Sequence, residues 1–232
     1  MKKTILASLC IFAAVASASA ENLVHNGDFS KKPSMGTRRT PCGEAMNKWC
    51  TNIKITTSGL VWTTDAEESY LSSVTTPTSF KRSNLSQFIP LIKPVKTYTL
   101  SLQYKLGKET GDKKKTNRLT LTVVGVNDPK ATFHGDMRKG GPGSKKLPEG
   151  LTILLKKDLP STGKEWKTIT RTIQLNQQYK GLLLNFYGGG IDKTQVGLDN
   201  VSLVPESEFD PSQLPAIKAQ PTPKPNVLFI IK

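Results

Sequence analysis

Apolar and polar residues alternate along most of this chain with a period of two. In KTYTLSLQYKL, residues 96–106, Tyr98, Leu100, Leu102, Tyr104 and Leu106 fall on one side and Thr97, Thr99, Ser101, Gln103 and Lys105 on the other, the pattern of a strand with one buried face. The alternation returns in NRLTLTVVGV, where Leu119, Leu121 and Val123 oppose Thr120 and Thr122, and in WKTITRTIQL, where Ile169, Arg171 and Ile173 oppose Thr168, Thr170 and Thr172. GLLLNFYGGG and VGLDNVSLV add two short strands bounded by glycine, a turn former. Beyond the first twenty residues no stretch keeps a helical period. Many short strands separated by turns predict an all-β chain, a sandwich of two antiparallel sheets or a barrel.

The stretches between strands are polar. Residues 127–150 are rich in glycine, proline and lysine, and residues 107–117 are charged; both read as loops. From Pro205 to Pro225 proline recurs too often for a ladder, which predicts a semi-rigid linker over 207–225. Residues 226–232 then close the sequence with Val227, Leu228, Phe229, Ile230 and Ile231. Left in water, these five forgo on the order of 10 kcal/mol of burial, so they call for a partner surface, either outside the chain or on its own sandwich.

Residues 1–20 carry two lysines, an apolar stretch and Ala18-Ser19-Ala20, the order of a cleaved export signal. A secreted or periplasmic protein starting at Glu21 is therefore expected. Loss of Lys2 and Lys3 lowers the formal charge from +15 to +13, still strongly basic. No later segment is long and apolar enough to span a membrane. Cys42 and Cys50 form an even pair in an exported chain, which predicts one disulfide; closing so small a loop stabilises by roughly 2.5 kcal/mol.

Four stretches together resemble a known family. NLVHNGDFS at 22–30, SQFIPLIKPVKTYTLSLQYKL at 86–106, KEWKTITRTIQL at 164–175 and VGLDNVSLVPE at 196–206 are similar to the successive signatures of the cellulose-binding-type carbohydrate-binding modules. The resemblance implies a galactose-binding-like jelly roll over residues 21–206, an antiparallel β-sandwich whose first and last segments lie side by side. It further implies a structural Ca2+ near that junction, with Asp199 matching the family's carboxylate; Ser30 stands where the family usually has an acid. Trp166 matches a position that the family packs into its core. KPNVLFII at the end resembles the first strand of a sulfatase of the alkaline-phosphatase-like superfamily. Lys232 ends the sequence before the paired aspartates that such a strand leads to, and the Cys/Ser-x-Pro-x-Arg motif is absent, so a module originally appended to a sulfatase, whose catalytic partner is lost by truncation or frameshift or is encoded separately, is expected.

Sugar sites combine aromatic faces with a few directed polar groups. Asn185 and Tyr187 share a parity on one strand, and Gln103 and Lys105 share the polar face of another. If those strands were neighbours, the four would form one patch, with Trp62 or Tyr70 on a rim loop. The expected partner is a polysaccharide, and the loop lysines favour an anionic or sulfated one; the protein is expected to be a monomer. Catalysis is disfavoured because the only histidines, His25 and His134, fall in the start motif and a loop, with no nucleophile–base pair in view. The remaining alternatives are an N-terminal fragment of a sulfatase pseudogene with no function of its own, and a protein-binding adhesion domain. Nucleic-acid binding would explain the charge, but no basic motif interleaved with aromatics is present.

Overall fold

The computed structural model describes residues 21–31, 34–35, 41–51, 60–64, 69–73, 83–91, 95–107, 118–133, 147–163, 165–189 and 196–217. The expected export signal, most of the two expected loops, the second half of the expected linker and the apolar tail lie outside the described residues.

Among the described residues, eleven strands form two sheets. They are β1 (Ser34–Met35), β2 (Cys50–Thr51), β3 (Leu60–Thr64), β4 (Ser69–Ser73), β5 (Ser83–Pro90), β6 (Thr97–Lys105), β7 (Arg118–Val126), β8 (Leu151–Asp158), β9 (Lys167–Gln174), β10 (Gly181–Gly189) and β11 (Val196–Pro205). One sheet runs β1-β2-β5-β10-β7-β8 and the other β3-β4-β11-β6-β9. All pairings are antiparallel except the short β1–β2 contact. From β5 onward the chain crosses between sheets at nearly every step, the winding of a jelly-roll sandwich.

The expected apolar faces meet between the sheets. Leu119, Leu121 and Val123 of β7, Leu182, Leu184 and Phe186 of β10, and Tyr98, Leu100, Leu102 and Tyr104 of β6 belong to one buried cluster with Leu198 and Leu203 of β11. Burial lifts the hydroxyl pKa values of Tyr98 and Tyr104 above the usual tyrosine range. A second apolar cluster, with Cys42, Ala45, Phe88, Val124, Val126, Phe133 and Leu183, covers part of the outer face of the six-stranded sheet.

Residues 22–29 are stitched to β11, although they form turns rather than a strand of their own. The side chain of Asn22 donates to Val201 O (3.1 Å) and accepts from Leu203 N (3.0 Å), and Leu23 N donates to Leu203 O (3.0 Å). The Asn-Gly-Asp-Phe turn closes through Phe29 N to Asn26 O (3.1 Å). Phe29 adopts φ 52°, an uncommon conformation for a bulky residue. It is held there by burial and by Trp49, whose ring lies 5.3 Å away and whose Nε1 donates to Asn26 O (2.9 Å). Val201 N in turn donates to Gly27 O (2.9 Å), and a Cβ on Gly27 would sit 2.0 Å from Val201 O. Only glycine fits this turn. A β-bulge where Asn200 and Val201 face one residue of β6 brings Val201 to this contact.

The expected disulfide is absent. Cys42 and Cys50 are buried free thiols, and the reason is that separate elements aim them at different partners. Cys42 sits on a 3-10 turn, Cys42–Ala45, tied by its N–H to Ala131 O (2.9 Å). Cys50 opens β2, opposite Ser86, and its Sγ donates to Glu44 O (3.9 Å). Burial pushes the Cys42 thiol up to about 11, so it stays protonated and inert at neutral pH.

Candidate functional site

The four-residue patch expected from strand parity does not form. Gln103 and Lys105 lie on β6 in the five-stranded sheet, whereas Asn185 and Tyr187 lie on β10 in the six-stranded sheet. Both pairs point away from the inter-sheet core, but outward from opposite sides of the sandwich. Trp62 and Tyr70, expected on a rim loop, are instead within β3 and β4, where Trp62 pairs with Leu71 and Tyr70 with Thr63; their side chains lie outside the described residues.

Gln103 is occupied by the chain itself. Its Nε2 donates to Pro215 O (3.0 Å) and Ala216 O (2.9 Å), and its Oε1 accepts from Asn200 Nδ2 (3.2 Å). The segment after Pro205 thus makes two short 3-10 turns, Glu206–Glu208 and Pro211–Gln213, and crosses the outer face of the five-stranded sheet as a strap. Asp210 caps the second turn, accepting from Ser212 N (2.9 Å) and Oγ (2.8 Å), which lowers its carboxyl pKa. Lys105 Nζ stands 5.2 Å from the Trp166 ring centroid, within cation–π range. Trp166 is buried as expected, though on this outer face: its ring fills the space where a Cβ on Gly197 would be. Trp49, the other early tryptophan, is a core residue packed between Phe29 and Phe186.

Asn185 and Tyr187 belong to a polar block that spans four strands. Register places Ser86, Asn185, Thr122 and Lys156 in one row across β5, β10, β7 and β8, and Asn84, Tyr187, Thr120 and Asp158 in the next. The adjoining row, Phe88, Leu183 and Val124, is apolar and lies under the second cluster. Side chains in such rows stand close enough to interact. Thr120 Oγ1 donates to Asp158 Oδ1 (2.5 Å), and Asn185 Nδ2 donates to Ser86 Oγ (2.7 Å). Asn84, Tyr187, Asn185, Thr120 and Thr122 are buried, Ser86 and Lys156 half-buried, and Asp158 exposed, so the rows reach solvent at their ends. Among the described residues two buried side-chain atoms have no hydrogen-bond partner, Asn185 Oδ1 and Thr122 Oγ1, and both are in the same row. Buried polar atoms are nearly always paired, which singles this row out. Sequence parity flagged Asn185 and Tyr187; Ser86, Thr122 and Asp158 join them only through register.

At the junction, Asp199 is buried and its Oδ1 accepts from Asn200 N (2.7 Å), while Ser30 donates to Asn26 Oδ1 (3.2 Å). A calcium ion takes six to eight oxygens. Among the described residues no three His, Cys, Asp or Glu side chains come together, so an ion here would draw mainly on backbone and amide oxygens, with Asp199 as its carboxylate.

No family model matches the chain, and no curated protein matches it. Among solved structures, one described as "CBM4 structure and function" is similar at 17% identity, covering 79% of this chain and 99% of that one, with a TM-score of 0.47. "TmCBM61 in complex with beta-1,4-galactotriose" is 16% identical over 81% of this chain and all of that one, TM-score 0.41. "Family 16 Carbohydrate Binding Module-2" is 13% identical over 65% of this chain and 89% of that one, TM-score 0.41.

Proposed function

We propose that this protein is a non-catalytic carbohydrate-binding module that holds a polysaccharide on the outer face of its six-stranded sheet. The observation that carries the reading is the polar row of Ser86, Asn185, Thr122 and Lys156, in which two buried polar atoms lack partners. A hydroxyl-rich ligand supplies such partners, and Tyr187 in the next row offers a ring for the apolar face of a sugar. Export by residues 1–20 and an origin beside a sulfatase belong to the same proposal, supported by the signal-like start and the sulfatase-like tail. So does a structural Ca2+ at Asp199, which would stiffen the junction and take no part in binding.

Affinity electrophoresis through gels containing single polysaccharides tests the site. Asn185→Ala and Tyr187→Ala are each expected to weaken retention about tenfold on whichever gel retards the unmodified protein, the loss of one directed hydrogen bond or one ring contact. Unchanged retention of both variants, at unchanged melting temperature, would remove this face from the reading.

A further inference from the structure

The expectation of a sulfated ligand rested on lysines scattered through loops, and the middle of the polar row makes a different demand. The amide of Asn185 is 0% exposed, and its nitrogen is engaged by Ser86 (2.7 Å). The nitrogen faces Ser86 Oγ and stands 3.5 Å from Asn84 Oδ1, and the carbonyl oxygen is the unpaired end. Directly across the strand pair stands Thr122, also 0% exposed, whose hydroxyl has no partner either. A carbonyl oxygen can only accept, while a threonine hydroxyl can both donate and accept.

We infer that Asn185 and Thr122 form a subsite for one unsubstituted hydroxyl of a neutral sugar. The inference rests on the glycan-binding reading above. The sugar hydroxyl donates its hydrogen to Asn185 Oδ1 and accepts the hydrogen of Thr122 Oγ1, so that one group satisfies both side chains. A sulfate ester or an ionised carboxylate cannot do this, because its oxygens are acceptors only. Placed in the row, it would set negative charge against the lone pairs of Asn185 Oδ1, one row away from the carboxylate of Asp158, which accepts from Thr120. Lys156, at the end of the same row, already has an interaction of its own. Substitution at the bound hydroxyl therefore excludes the ligand. Both atoms are closed to solvent here.

Thr122→Val in the full chain removes the hydroxyl at nearly constant shape. Since the hydroxyl is buried without a partner, the variant is expected to melt at the same temperature or higher. A residue that serves only the fold would show no binding change with it. Retention on gels of neutral galactan, xylan or mixed-linkage β-glucan is expected to fall about tenfold for Thr122→Val on the gel that retards the unmodified protein, and to be kept by Thr122→Ser, which restores the hydroxyl. Chemically sulfated forms of the same polysaccharide are expected to retard the unmodified protein at least tenfold less. Equal or stronger retention on the sulfated gel overturns the neutral-hydroxyl subsite while leaving glycan binding in place. Full retention of Thr122→Val overturns it as well, and makes the pair a buried water site. If neither the neutral nor the sulfated gels retard the unmodified protein, the glycan reading fails, and the subsite with it.

Discussion

The two outer faces of this sandwich carry similar residue types and differ in what satisfies them. On the five-stranded sheet, Gln103 donates to the carbonyls of Pro215 and Ala216 and accepts from Asn200, and Lys105 stands over Trp166. A cleft of about 420 Å³ opens between the start turn, the β11 bulge and the strap, yet the amides that line it are engaged: Asn22 and Asn26 bond through both ends of their side chains, and Asn200 through its Nδ2. On the six-stranded sheet, two equally buried polar side chains, Asn185 and Thr122, leave a carbonyl and a hydroxyl unmatched. A polar face that the chain covers and completes itself is structural; one left incomplete is where an outside hydroxyl has something to gain. The difference is one of bonding rather than composition, and it predicts opposite responses to substitution on the two sides.

The largest effect belongs to the seam that holds the five-stranded side together. Gly27→Ala would place a Cβ 2.0 Å from the carbonyl oxygen of Val201, and backbone atoms cannot step aside as the end of a flexible side chain can. The start turn must then lift from β11, losing the bonds that Asn22 and Gly27 make to Val201 and Leu203. A destabilisation of more than about 3 kcal/mol is expected, read as a lowered urea midpoint with an unchanged slope. A shift below about 1 kcal/mol would mean that the two ends of the domain are not sealed there, and the contrast between the faces would lose its structural half.

Next comes Gln103→Ala, the mirror of the substitutions at the face proposed to hold glycan. It strips two strap carbonyls and the Asn200 amide of their shared partner, all on a side chain only 1% exposed, and should cost about 1–3 kcal/mol. Limited proteolysis should begin to cut within residues 206–217 while glycan retention stays as it was. A variant that loses glycan retention at full stability would return Gln103 to the binding site and reverse the assignment of the two faces.

Strand parity explains both what the sequence made legible and what it hid. Alternation in β6, β7 and β10 identified the inward side chains, because a face buried on one side must repeat every second residue. Yet a sandwich has two outsides, and parity cannot say on which of them a polar residue emerges. Gln103 and Asn185 were joined for that reason, although their strands belong to different sheets. The site rows depend on which residue of β5 and β7 lies opposite Asn185, a matter of register that spacing within one strand does not contain. Prolines after residue 205 were legible as a bar to ladder pairing. That same bar leaves carbonyls without strand partners, which is why Gln103 can capture two of them. The cysteines misled because an even count says nothing about where a 3-10 turn and a neighbouring strand aim their sulfurs.

The smallest effect expected concerns calcium, and it asks whether the five-stranded side is completed by the chain alone. Asp199 already accepts the N–H of Asn200 at 2.7 Å, and Ser30 offers a hydroxyl rather than a second carboxylate. An ion held by Asp199 with backbone and amide oxygens would add to a junction that is hydrogen-bonded without it, so its removal should cost only about 1 kcal/mol, a drop of roughly 2–4 °C in melting temperature for a domain of this size. Melting with EDTA, and again with excess calcium, measures this directly, and Asp199→Asn should abolish the difference between the two curves. Superimposable curves for the unmodified protein would remove the ion and leave that face sealed by the chain's own hydrogen bonds. Retention on glycan gels should be the same with and without EDTA, because Asp199 and the row of Asn185 and Thr122 belong to different sheets.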